Sequence, residues 1–232
     1  MSLPPAADPA DPFAERLRGF GPLGIAAILA VVLTGNVTVG PFVVVPLGGL
    51  LALAWRRLSR TPWSEIGYAR PTSWALTFVA GVALGAAFKL LMKAIVMPLL
   101  GAPAINPAYH FLAGNRALIP QALWAMTVAG VAEETVFRGW MFERLGKLFG
   151  RSGGARTAIV LLTSTLFGLA HYANQGLAGV EQATIVGLVL GTIFATTGRI
   201  WLPMTVHSAF DLTAYALIYF DLESRMAHLV FA

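Results

Sequence analysis

From Gly19 to Trp55 the chain runs for 37 residues without a single charged side chain. A helix crossing the hydrocarbon core of a bilayer needs about 20 apolar residues, so the run has room for two spans joined by a tight turn near Asn36 to Pro41. The rest of the sequence agrees, with 57% hydrophobic and 12% charged residues, about half the roughly 25% charge of an average soluble domain. A soluble core of this size could not hide that much apolar surface, and such a composition also excludes disorder. The net charge of +5 and sequence pI near 10.0 would suit nucleic acid if the basic residues formed one stripe. They fall instead in short clusters between uncharged runs, as in membrane proteins, so the expected partner is a lipid bilayer and no nucleic acid. The absence of cysteine removes disulfides, thiolate metal ligands and a cysteine nucleophile.

The other charge gaps predict spans at Trp74 to Met97, Leu118 to Trp140, Thr157 to Tyr172, Ala183 to Thr197 and Trp201 to Phe220, making seven in an all-α polytopic bundle. The stretch Leu99 to Gly114, with Pro98 at its border and Pro103 and Pro107 within, reads as a re-entrant or interfacial segment. A cytosolic N-terminus puts Arg16, Arg18, Arg56, Arg57, Arg60, Arg70, Arg144, Lys147, Arg151, Arg156 and Arg199 on the cytosolic side. Only Arg116 and Arg225 then lie opposite, which satisfies the positive-inside rule. Residues Met1 to Phe13 hold four prolines and two aspartates without a basic n-region and read as a disordered tail, not a signal peptide. Gly81/Gly85 and Gly187/Gly191 sit inside spans and are expected to let helix backbones approach closely.

An ionisable side chain at the bilayer centre costs at least about 2.5–3.5 kcal/mol, so each one in a span is a functional candidate. Here they are Lys89, Lys93, Glu133, Glu134, Arg138, His171, His207 and Asp211. Lys89 and Lys93 lie one turn apart, with stems long enough to reach the interface or a partner carboxylate; snorkelling accounts for them without chemistry. Glu134 and Arg138 are four apart and share a helix face, while Glu133 points about 100° away. One acid is thus held by the arginine and the other is free. Phe167 shares a face with His171, and His207 with Asp211. Any one of these fits a structural polar contact; on three separate spans they point to a common site.

The three pieces form a pattern. Glu133-Glu134-Thr135-Val136-Phe137-Arg138 resembles the EExxxR motif of the CAAX protease and bacteriocin-processing (CPBP, or Abi) intramembrane proteases. Phe167 to His171 resembles its FxxxH motif, and His207 to Asp211 its HxxxN/D motif, in the same order along the chain. The resemblance implies about eight membrane helices around a polar intramembrane cavity. It divides the chain into a cytosolic tail (1–18), N-terminal membrane helices (19–116), a catalytic helix core (117–222) and a C-terminal tail (223–232). The activity implied is endopeptidase cleavage of a peptide or protein substrate at the membrane, prenylated and CAAX-type or otherwise, in a bacterial-type cell membrane. By similarity Glu133 deprotonates a water, His171 positions it and relays a proton, Glu134 and Arg138 brace the first acid, and His207 with Asp211 face the carbonyl oxygen.

One position departs from the prenyl-processing members, which carry an asparagine where this chain has Asp211. An ionised carboxylate only accepts hydrogen bonds, so Asp211 either stays protonated, orients His207 or binds a cation. The last choice would make a zinc site from Glu133, His171, His207 and Asp211 with an open position; metal-free glutamate catalysis, without a cofactor, is the expectation taken forward. Two rivals stand beside it. Gly150-Arg151-Ser152-Gly153-Gly154 contains a GxSxG string, but it lies in a basic connector without the preceding strand of a nucleophile elbow. A transporter or non-enzymatic scaffold would also bury Glu, His and Asp at membrane depth.

Overall fold

A computed structural model of the chain describes residues 11–19, 21–24, 26–27, 30 and 41–231. Among these the protein is all-helical, with no strand. The elements are α1 (Pro12–Arg18), α2 (Pro41–Leu58), α3 (Trp74–Leu91, continued through a π turn at Met92–Val96 to Leu99), α4 (Ile119–Glu134), a second π turn (Thr135–Trp140), α5 (Met141–Phe149), α6 (Gly153–Ala170), α7 (Tyr172–Thr197), α8 (Trp201–Tyr219) and α9 (Glu223–Ala227). Among the described residues three helices are long and apolar enough to cross a membrane: Trp74–Leu99, Gly153–Ala170 and Tyr172–Thr197. Residues 36–40 of the expected turn, and most of the span before it, lie outside the described residues, and Pro41 opens α2.

The 1–18 tail needs correcting over Pro12–Arg18, which is helical. Asp11 caps it, its carboxylate accepting from the Phe13 and Ala14 amides at 3.1 and 3.2 Å, and Pro12 occupies the first turn, where its missing N–H costs nothing. Buried Arg144 donates to the Leu17 and Arg18 carbonyls at the helix end. The C-terminal tail also carries a helix, Glu223–Ala227. Glu223 opens α9 and is buried, bonded at 3.0 Å to Lys93 and accepting from the Asn106 amide at 3.2 Å. Lys93 therefore does not snorkel, and neither does Lys89, which is 7% exposed and donates to Gln182 Oε1 at 2.9 Å. Both stems turn inward because polar partners wait there, a fact that hydropathy along one helix cannot show.

Small residues set the helix spacing. A Cβ on Gly85 would lie 2.3 Å from the Val206 carbonyl, and one on Gly81 2.6 Å from Thr205, so α3 and α8 touch through backbone. Gly187 meets Ser164 in the same way between α7 and α6, and Gly130 meets Ser208 between α4 and α8. Tight approach of this kind is how helices associate where no hydrophobic gain separates protein from lipid. α7 starts well before the expected Ala183, at Tyr172, and bends at Gly176, whose φ of 62° and ψ of −156° break the helix. Asn174, Gln175 and Gln182, which fall between the two expected spans, face a cavity. The segment between α3 and α4 is irregular, with Gly101 and Gly114 at φ of 74° and 64°, and its residues Asn106 to Tyr109 line that cavity. Non-helical backbone is tolerated in such a protein where it borders a polar cavity.

Candidate active site

The three motifs meet at the contact of α4, α6, α7 and α8. Glu134 is fully buried, and its Oε1 accepts from Arg138 Nη1 at 2.7 Å and from His207 Nδ1 at 2.8 Å. Arg138, also 0% exposed, reaches across to the Gly187 carbonyl at 3.3 Å and stands over the Phe167 ring at 4.7 Å. It lies within the π turn, which Tyr68 braces through a 2.7 Å hydroxyl bond to Thr135. Such turns recur at functional sites because they re-aim side chains within a helix. Phe167 packs edge-on to His171, centroids 4.7 Å apart, and to His207 at 5.8 Å. The first residue of FxxxH thus spaces the two imidazoles and covers the guanidinium.

Glu133 and Glu134 diverge as their helical phase requires. Glu133, His171, His207 and Asp211 line one cavity of about 580 Å³, whereas Glu134 and Arg138 stand behind its wall. His207 Nε2 lies 3.6 Å from both Glu133 Oε2 and Asp211 Oδ2. The acceptors determine the tautomers. A carboxylate can only accept, so His207 donates Nδ1–H to Glu134 and offers Nε2 to the cavity. A carbonyl can only accept, so His171 donates Nδ1–H to the Phe167 carbonyl at 2.8 Å and keeps a lone pair on Nε2 when neutral.

The cavity wall also holds residues the motifs did not reveal, among them Lys89, Lys93, Tyr109, Gln175, Gln182 and Glu223. Gln175 donates to the Tyr109 hydroxyl at 3.4 Å, leaving the phenol proton to donate elsewhere. Burial, then the Asp211 and Glu133 carboxylates, push this phenol up to about 12, so Tyr109 stays a hydroxyl at assay pH. No sequence signal singled it out, because it sits in the irregular segment far from the motifs.

Among the described residues no three His, Asp or Glu side chains are grouped to hold a metal ion. The two acids flank one nitrogen, His207 Nε2, each at 3.6 Å.

Ser152 is elsewhere, exposed at the start of α6, where its Oγ accepts from the Ala155 amide at 3.2 Å. It is a helix N-cap. Ser152→Ala should leave turnover unchanged and cost about 0.5–2 kcal/mol of stability, as lost caps do; a collapse of turnover without unfolding would restore the serine mechanism.

Residues 115–213 match the family model of the type II CAAX prenyl endopeptidases, Rce1-like. The matched stretch contains all six motif residues and agrees with their resemblance to CPBP proteases. None of the curated proteins and none of the solved structures matches the chain. The matched stretch spans α4 to the middle of α8; α1, α2, α3 and α9 lie outside it.

Proposed function

We propose that the protein is an intramembrane endopeptidase that cleaves CAAX-type, prenylated peptides with a water activated by Glu133. The observation that carries this reading is the single cavity shared by Glu133, His171, His207 and Asp211, with Glu133 and Asp211 each 3.6 Å from His207 Nε2. Glu133 is the acid left over once Glu134 is committed to Arg138 and His207. It takes a proton from water as the oxygen attacks the scissile carbonyl carbon, and His171 Nε2 accepts the other water hydrogen and orients it. The oxyanion receives hydrogen bonds from His207, protonated at Nε2, and from the Tyr109 hydroxyl. Collapse breaks the C–N bond, and the proton held by Glu133 passes to the leaving amine. Glu134 and Arg138 touch neither water nor substrate; they fix the imidazole of His207.

Asp211 orients and balances His207 in this scheme rather than donating to the oxyanion. The N-terminus is cytosolic, a reading supported by the contacts that gather basic residues at one end of the bundle. Arg18 pairs with Glu65 at 3.5 Å, Arg60 with Asp11 at 3.3 Å, and Lys147 bonds the Arg18 carbonyl at 2.9 Å.

The test uses purified protein in lipid and a prenylated CAAX-type peptide, with release of the C-terminal fragment as readout. Turnover should survive a zinc chelator. Asp211→Asn should retain or raise kcat/KM near neutral pH, since an amide keeps one acceptor and adds a donor; a lost oxyanion donor would instead cost roughly 2.7–4 kcal/mol. Near-complete loss in Asp211→Asn, restored by zinc and removed again by a chelator, would replace the glutamate mechanism with a metalloprotease.

A further inference from the structure

Two lysines lie one turn apart on α3, and the structure treats them differently. Lys93 is neutralised by Glu223 at 3.0 Å. Lys89 has no carboxylate within 4.0 Å among the described residues. Its Nζ meets the neutral oxygen Oε1 of Gln182 at 2.9 Å and the Phe210 ring face at 4.8 Å. Only 7% of the residue is exposed, so this is a buried cation without a counter-ion in contact, inside a bundle where such a charge is expensive. Lys89 and Gln182 both line the catalytic cavity.

The orientation of Gln182 sharpens the reading. An ammonium has three donors and cannot accept, so the Gln182 oxygen must face Lys89, which leaves the Gln182 NH2 for another partner. Among the described residues that NH2 has no partner. The pair therefore presents a cationic donor and a neutral amide donor to the same cavity, and no acceptor beyond the oxygen already used. Such a pair fits a carboxylate, which takes one bond on each oxygen. Phe210 beneath the ammonium directly precedes Asp211, so the pair stands beside the proposed reaction centre.

We propose that Lys89 and Gln182 form a carboxylate-binding subsite that reads the free C-terminus of the peptide being cleaved, and that they thereby set how near the chain end the cut falls. The proposal rests on the endopeptidase reading above. Lys89 lies outside residues 115–213 and Gln182 within them, so the N-terminal helices supply the charged half of the subsite and the matched stretch its amide half.

Three prenylated peptides of one sequence test it: a C-terminal acid, the corresponding amide, and an amide whose last residue is glutamate. Affinity is measured on Glu133→Gln protein and kcat/KM on protein with Glu133 intact, each with Lys89 native or as Lys89→Met. With Lys89 native the acid should be favoured over the amide by roughly tenfold or more, the scale of a charge-assisted hydrogen bond. Lys89→Met should bring the ratio to within about twofold, and Lys89→Arg should recover part of it. Recovery by the glutamate amide would mean that a side-chain carboxylate also satisfies the subsite. Equal affinity for acid and amide with Lys89 native overturns the subsite even if both are cleaved, and this arm needs no change at Lys89. A preference for the acid that survives Lys89→Met overturns it as well. Cleavage of neither peptide, together with a Lys89-dependent preference for the acid, upholds the subsite and overturns the protease reading.

Discussion

Glu133→Gln is expected to lower kcat by about 10²–10⁴-fold, the contribution of a positioned general base, with the melting temperature close to that of the unmodified protein. The geometry separates the two effects. Glu133 faces the cavity and its ion-pair contact is His207 Nε2 at 3.6 Å, whereas the bonds that join the helices converge on Glu134. An amide of the same shape keeps the packing and loses only the capacity to take a proton. Turnover is followed by release of the C-terminal fragment from a prenylated peptide in lipid, with thermal melting on the same preparation. Comparing membrane proteomes of cells carrying the native and Glu133→Gln forms would extend the readout to natural substrates. Unchanged cleavage in a folded Glu133→Gln protein would remove the glutamate mechanism. Absence of cleavage by the native protein on every peptide and proteome tested would favour the transporter or scaffold.

Arg138→Ala is expected to damage folding as well as catalysis. The guanidinium is fully buried, holds Glu134 at 2.7 Å, bonds the Gly187 carbonyl and covers Phe167. Removing it strands the Glu134 carboxylate, whose Oε2 has no hydrogen-bond partner among the described residues. Removing one member of a buried pair costs about 3–5 kcal/mol, which for a chain of this size lowers the melting temperature by roughly 10 °C. The double variant Glu134→Gln with Arg138→Met removes both charges while keeping their volume. It should recover most of the stability but not the turnover, because His207 then lacks the carboxylate that holds Nδ1–H. Normal melting and normal turnover in Arg138→Ala would leave the buried brace without a role.

Much of the site was legible along the chain because helices are periodic. The four-residue spacing of Glu134 and Arg138 predicts a shared face, and they pair at 2.7 Å. The one-residue offset of Glu133 predicts divergence, and Glu133 alone of the two acids lines the cavity. The spacing of His207 and Asp211 likewise predicts a common face, and the two lie 3.6 Å apart. Hydropathy misled where polar residues turned inward. The expected spans left out residues 173–182, although α7 runs from Tyr172; Asn174, Gln175 and Gln182 in that stretch line the cavity, whose wall needs the polarity that a lipid-facing surface forbids. Lys93 read as a snorkelling residue because its partner, Glu223, lies on α9, 130 positions along the chain.

The sequence by itself determined the all-helical class, the membrane setting and the six motif residues, because charge-free runs and helical spacing are local properties of the chain. Helical spacing assigned Glu134 to Arg138; tertiary structure alone brought His207 to that pair. Glu134 becomes the brace only because Gly130 lets α8 approach α4 closely enough for His207 to reach its carboxylate. It also decided the fate of the other buried charges. A buried ion's cost depends on whether an opposite charge or a hydrogen-bond partner reaches it in space, and that partner arrives from another helix. Glu223 satisfies Lys93, while among the described residues Lys89 meets the side-chain oxygen of Gln182 and the face of Phe210.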